Sequence, residues 1–210
     1  MIVSVKHRFI FLSMPKCASS AIVRTIRDSG QITAFGHPGL KHTPYRSLER
    51  FVMPYITDRV GLTRDDFTVI CLFREPISWL HSWFRYRSRR ALKDPAHRSH
   101  ANYTGGLTFN EFAAAWLSRP RPPFADVGRQ SAFVLSLDRQ VGPDVVYRYE
   151  ELDEAVRHIG DLIGRRVRVR RVNRSPRHQM ELDDELRLEL TKQLGLDYEI
   201  YDGLGGGRRT

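Results

Sequence analysis

Two apolar runs stand out along the chain: residues 8 to 13, rich in Phe, Ile and Leu, and Asp66-Phe-Thr-Val-Ile-Cys-Leu-Phe73. Each is bounded by a sharp change of pattern at its C-terminal end and predicts a buried strand, the second apolar enough to be covered on both faces. After the first run, Ala21, Ile22, Thr25 and Ile26 share one face at helical spacing, and Gly30 is placed to end that helix. After the second, Arg74-Glu75-Pro76 breaks the strand, and Pro76 with Trp79, Trp83 and Phe84 describes a helix leaving the sheet. Further along, Thr108 and Glu111 form a capping-box signature ahead of Phe112 and Trp116. Gln130 to Leu137 suits a short helix, Val145 to Tyr147 a strand, Leu152 to Ile163 a helix stopped by Gly164, and Val167 to Val172 an extended segment. Leu182, Leu186, Leu190 and Leu194 make an i, i+4 stripe that serves core packing.

The change of period between the first strand and its helix falls within Met14-Pro-Lys-Cys-Ala-Ser-Ser20. Such a turn aims the unpaired N–H groups of a helix's first turn, and the positive end of its dipole, at whatever lies above the strand. Lys16 adds a full charge, and Ser19 and Ser20 add hydroxyl donors. The pattern suits a phosphate or sulfate, yet it is no Walker A loop: the lysine precedes the small residues and no glycine is present. An ordinary strand-to-helix turn with a surface lysine would look much the same.

Composition narrows the class. With 210 residues, 41% of them hydrophobic, the chain is the size of one α/β domain, expected to span 1–202 with 203–210 as a flexible tail. A formal net charge of +10 favours anionic partners without choosing among nucleotides, acidic glycans, membrane surfaces and nucleic acid. Cys17 and Cys71 match no zinc or redox spacing and read as reduced thiols. The first apolar run is too short to span a bilayer and no cleavage site follows it.

Pro15-Lys16-Cys17-Ala18-Ser19-Ser20 resembles the P-K-x-G-T-T loop of sulfotransferases, which use 3′-phosphoadenosine 5′-phosphosulfate (PAPS). Ala18 stands where the family has glycine, which fits only if that backbone needs no positive φ. A second stretch, Arg74-Glu-Pro-Ile-Ser-Trp-Leu-His-Ser82-Trp-Phe84, resembles the family's R-[DE]-P-x-x-R-x-x-S-x-[YF] element, with Trp79 in place of its frequent arginine. Gln130 to Leu152, ending in Arg148-Tyr-Glu-Glu-Leu152, and Asp197-Tyr-Glu-Ile-Tyr201 resemble later elements.

The resemblance implies a three-layer α/β/α fold with a central parallel sheet, akin to P-loop nucleotide kinases. It further implies transfer of the sulfuryl group of PAPS to a hydroxyl or amine of a glycan, glycolipid or other small acceptor, without a metal. By correspondence Lys16, Cys17, Ala18, Ser19, Ser20 and Ala21 would hold the 5′-phosphosulfate, and Arg74 and Ser82 the 3′-phosphate. Asn173, Arg174 and Ser175 would lie toward the nucleotide. His42, just ahead of a helix beginning near Tyr45, takes the place of the base that deprotonates the acceptor, with His37 the alternative. Golgi relatives carry a membrane anchor, so its absence points to a cytoplasmic bacterial enzyme.

Each of these residues also admits a purely structural role. Arg74 could pair with Glu75, Ser82 could face solvent, and the basic run Arg85 to Arg90 could be a solvated helix end complementing the dipole. Lys93 to Gly106 reads as a mobile loop. Two other functions fit the same chain: a nucleotide or small-molecule kinase, disfavoured without a Walker A loop, and a silent basic module binding nucleic acid through Arg85 to Arg90.

Overall fold

The computed structural model describes residues 1–169 and 180–204. The expectations for Asn173, Arg174, Ser175, the end of the 167–172 segment and most of the C-terminal tail fall outside the described residues.

The chain forms two compact units. The first, Met1–Arg74 with Gln130–Val172 and Ile200–Thr210, is built on a five-stranded sheet of order β3-β1-β2-β4-β5. Its strands are β1 Ile2–Ser4, β2 Phe9–Leu12, β3 Ile32–Thr33, β4 Thr68–Phe73 and β5 Val145–Arg148. β2, β4 and β5 are parallel neighbours, while β1 is antiparallel to both β2 and β3. The sheet is therefore mixed, with the expected parallel strands β2, β4 and β5 forming most of it and an antiparallel β1 beside them; β1 is only three residues long, too short to register as a pattern, and it turns back into β2 through Val5 to Arg8 with Arg8 at φ 54°. Because two antiparallel pairings separate them, β3 still runs in the direction of β2. The segment after β3 thus leaves the sheet at the same end as the turn after β2.

Helices cover this sheet, giving the α/β class of the expected three-layer fold. Helix α1, Ser19–Ile26, buries Ala21, Ile22, Val23 and Ile26. A short α2, Pro38–Lys41, precedes α3, Tyr45–Ser47, which runs through a π-helical turn at Leu48–Val52 into α4, Met53–Val60. Gly30 does not end α1 by a left-handed turn: its φ is −101°, and a Cβ there would meet Ile2 Cγ2 at 2.5 Å. Glycine is needed for that close approach of the backbone to β1.

The second unit comprises Glu75–Arg129 and Asn173–Glu199. Its helix α5, Pro76–Arg87, meets α6, Phe109–Leu117, through an aromatic core in which Phe84 lies 5.8 Å from Phe109 and 5.7 Å from Phe112. The capping box is present, with Glu111 N–H donating to Thr108 Oγ1 and Thr108 N–H donating to Glu111 Oε2. Arg87, within the basic run, is no solvated helix end. It is buried and donates to the Pro123 carbonyl at 2.8 Å and the Asp126 carbonyl at 3.0 Å, pinning the loop after α6. Lys93 to Gly106 contains a helical turn at His100–Asn102 and is tied back through Thr104 N–H to the Arg87 carbonyl.

Helix α7, Ser131–Val134, and helix α8, Leu152–Ile163, belong to the first unit, and α8 closes at Gly164 with φ 69°. Helix α9, Asp184–Gln193, buries Leu190 and is followed by α10, Gly195–Gly203. Among the described residues no helix is long and apolar enough to cross a membrane.

Candidate active site

The turn after β2 delivers the first candidate residues. Lys16 and Ala18 both adopt left-handed backbone, φ 65° and 55°, so the condition set for alanine at the glycine position is not met. A β-carbon in that region costs roughly 1–2 kcal/mol per residue, so the loop is strained where the anion is expected. Ala18 is also the N-cap of α1 and brings no side-chain oxygen to cap it. Its carbonyl takes the Ala21 and Ile22 amides, and the geometry of a helix start leaves the Ser19 and Ser20 amides for another acceptor.

The side chains divide by exposure. Ser19 and Cys17 are buried, whereas Lys16 and Ser20 are half-exposed. Burial holds the Cys17 thiol well above its ordinary pKa, and its Sγ lies 3.6 Å from Gln130 Oε1. Cys17 as a whole is buried, so its thiol is not presented to a ligand. Ser20 Oγ accepts a hydrogen bond from Lys41 Nζ.

His42 sits at the end of α2, and its Nδ1 meets the Ser13 carbonyl. A carbonyl accepts only, so Nδ1 carries the proton and the neutral ring presents the lone pair of Nε2. Burial lowers the pKa of His42 to about 4, opposed by the Ser13 carbonyl and reinforced by Lys41 and Lys16. His42 is therefore a neutral acceptor at pH 7, close enough to Lys16 to feel its charge. His37 is exposed and contributes its carbonyl to the start of α2.

Arg74 follows β4, and its guanidinium reaches the turn after β2, with Nη1 3.4 Å from the Lys16 carbonyl. The backbone of Arg74 is held on both sides by one amide: its N–H donates to Gln130 Oε1 at 2.9 Å and its carbonyl accepts from Gln130 Nε2 at 2.7 Å. Its guanidinium also stacks 4.6 Å from the Tyr149 ring centroid. Gln130, which opens the family-like stretch to Leu152 but was given no role from the sequence, is fully buried and touches both loops. Glu75 does not serve as a partner reserved for Arg74, because its carboxylate accepts from the Ile77 and Ser78 amides and from the Tyr198 hydroxyl.

In the second unit, Ser82 is half-buried on α5, and Trp79, which replaces the family's arginine, is core, 6.0 Å edge-on to Trp83. Any contact that arginine makes elsewhere is missing here. Glu150 is exposed and accepts from the Tyr201 hydroxyl, a bond that ties the end of α10 to the end of β5.

The first unit thus gathers Lys16, Ser20, His42 and Arg74 around two neighbouring loops at the C-terminal ends of parallel strands, the end of an α/β sheet where ligands bind. The donors are cationic or hydroxylic, a set that fits a phosphorylated or sulfated anion. Comparison with known proteins names the class: the chain matches the sulfotransferase family over residues 1–202 and belongs to it. A crystal structure of a sulfotransferase from Alicyclobacillus acidocaldarius is similar at 16% identity, covering 90% of this chain and 92% of that one, with a TM-score of 0.43. No curated protein sequence matches the chain. The family's chemistry is transfer of a sulfuryl group, and the chain is a transferase of that kind.

Proposed function

We propose that the protein transfers the sulfuryl group of PAPS to a hydroxyl or amine of a carbohydrate, lipid head group or other small acceptor, with one catalytic domain spanning residues 1–202 and acting in the cytoplasm. The observation that supports this most is the Arg74 guanidinium lying 3.4 Å from the Lys16 carbonyl, so that the two family-like elements meet within the first unit.

In this reading the acceptor oxygen attacks sulfur as the bond from sulfur to the 5′-phosphate oxygen breaks. The acceptor proton goes to His42 Nε2, and adenosine 3′,5′-bisphosphate (PAP) leaves. Negative charge builds on the departing phosphate, where Lys16 and the open amides of α1 stabilise it without reorganising. A well-placed base contributes roughly two to four powers of ten. The low basicity of His42 in the free protein comes from burial and neighbouring cations, so the donor's own negative charge raises it when the donor binds. The base becomes competent once the sulfuryl donor is in place.

The kinase and nucleic-acid readings are separated from this one by ligand choice. Titration with PAP in metal-free buffer, against ATP with Mg²⁺ and against a single-stranded oligonucleotide, should show saturable PAP binding. Preference for ATP with Mg²⁺ would favour the kinase, and binding that ignores PAP but collapses with salt would favour the nucleic-acid module.

A further inference from the structure

Lys41, the lysine between His37 and His42, enters the same cluster from a different element. Its Nζ donates to Ser20 Oγ at 2.5 Å, on the first turn of α1. Burial disfavours the charge of Lys41, the charge of Arg24, one helical turn beyond Ser20 on the same face, adds to this, and both cations lie 5.9 Å from the Phe35 ring centroid. Lys41 is half-buried, and among the described residues neither it nor Arg24 has a carboxylate in ion-pair contact. Two like charges held together with a hydroxyl and an aromatic face for company form a local electrostatic deficit, which an anion relieves.

The bond also sets the direction of the Ser20 hydroxyl. An ammonium can only donate, so Ser20 Oγ is the acceptor and its own hydrogen must point to a different partner. Lys41 Nζ therefore stands at the first turn of α1, beside an oriented hydroxyl and in the same loop cluster as Lys16. We infer that Lys41 is a second binding cation for the 5′ end of the donor and the residue that orients Ser20 toward it. The assignment rests on the sulfuryl-transfer reading above and adds a residue to it. The alternative is that Lys41 merely fastens the Pro38–Lys41 turn onto α1.

A pair of nucleotides separates these roles without any acceptor. PAP carries both the 5′- and the 3′-phosphate, whereas adenosine 3′-phosphate lacks the 5′ group. Replacing Lys41 with Met should weaken PAP about tenfold or more, the loss of a hydrogen bond to a charged group, while adenosine 3′-phosphate changes less than about twofold. Lys41→Arg, which keeps the charge, should recover most of the preference for PAP. Ser20→Ala should remove part of the same preference, and adding Lys41→Met to it should cost less than in the unaltered protein. Thermal unfolding of each variant confirms that a folded protein is being titrated. If Lys41→Met lost affinity for both nucleotides equally, or for neither, Lys41 would be a fastening and the assignment would be overturned. An unaltered protein that failed to bind PAP at all would overturn the underlying reading, and this assignment with it.

Discussion

β2 and β4 are parallel neighbours, and each runs into a turn and then a helix, but the two helix starts are treated in opposite ways. At α5 the Glu75 carboxylate accepts the Ile77 and Ser78 amides, so the positive end of that helix is already occupied by the protein's own anion. At α1 the N-cap is Ala18, with no side-chain oxygen and a left-handed backbone. Its first amides have no side-chain cap, and Lys41 Nζ donates to Ser20 Oγ beside them. Under the proposed sulfuryl transfer, the uncapped start is the one that would receive the donor. The difference also explains the place of Arg74, which precedes the occupied helix and turns its guanidinium toward the open one.

The largest expected effect is at the open end. Lys16→Ala should reduce kcat by about 10²–10³-fold, the range for removing one preorganised transition-state donor, with a smaller change in PAP affinity. His42→Gln should lower kcat by about 10²-fold or more and leave PAP binding nearly unchanged. A loss in binding alone would show that neither residue acts in the transfer.

The pH profile sharpens the same contrast. A histidine with a lowered pKa loses its role as base when it is protonated, so kcat/KM for PAPS should hold from pH 7 down to the region of His42's pKa, about 4, and fall below it. The acid limb of kcat should lie higher, because the bound donor favours the imidazolium. Stability follows the same sign. Between the ordinary value of 6.5 and about 4 the unfolded chain binds more protons than the folded one, so stability falls as pH drops through that window. His42→Gln should flatten that fall, measured by denaturant unfolding at a series of pH values.

Smaller effects test the two caps. Glu75→Ala should destabilise by about 1 kcal/mol, the usual value of an N-cap, and somewhat more through the Tyr198 hydroxyl it abandons. Ala18→Gly should relieve left-handed strain and raise stability by up to about 1 kcal/mol, measured by chemical denaturation, without weakening PAP binding. A destabilised Ala18→Gly would mean the turn does not hold alanine against its preference.

How much of this was legible in the sequence depended on whether the cause was local. The strand at Phe9–Leu12, the capping box at Thr108 and the helix from Leu152 to Gly164 are written in adjacent residues, and the structure places them as expected. β1 was missed because three residues carry no period, and the hairpin turn holds Arg8 where a glycine or asparagine would have signalled positive φ. The roles of Gln130 and Lys41 were not legible because their partners are far along the chain: Gln130 joins Cys17 and Arg74, and Lys41 joins Ser20. The basic run misled because charge pattern alone cannot distinguish a solvated arginine from Arg87, whose hydrogen bonds to loop carbonyls make it part of the core.

The central claim is that the loops after β2 and β4 hold one nucleotide between them. Calorimetric titration of PAP into the unaltered protein and into Arg74→Ala tests it directly. The expected result is metal-independent binding that weakens by about tenfold to a hundredfold when the guanidinium is removed, the range for a charge-assisted contact to phosphate. Equal affinity of the two proteins for PAP would contradict it.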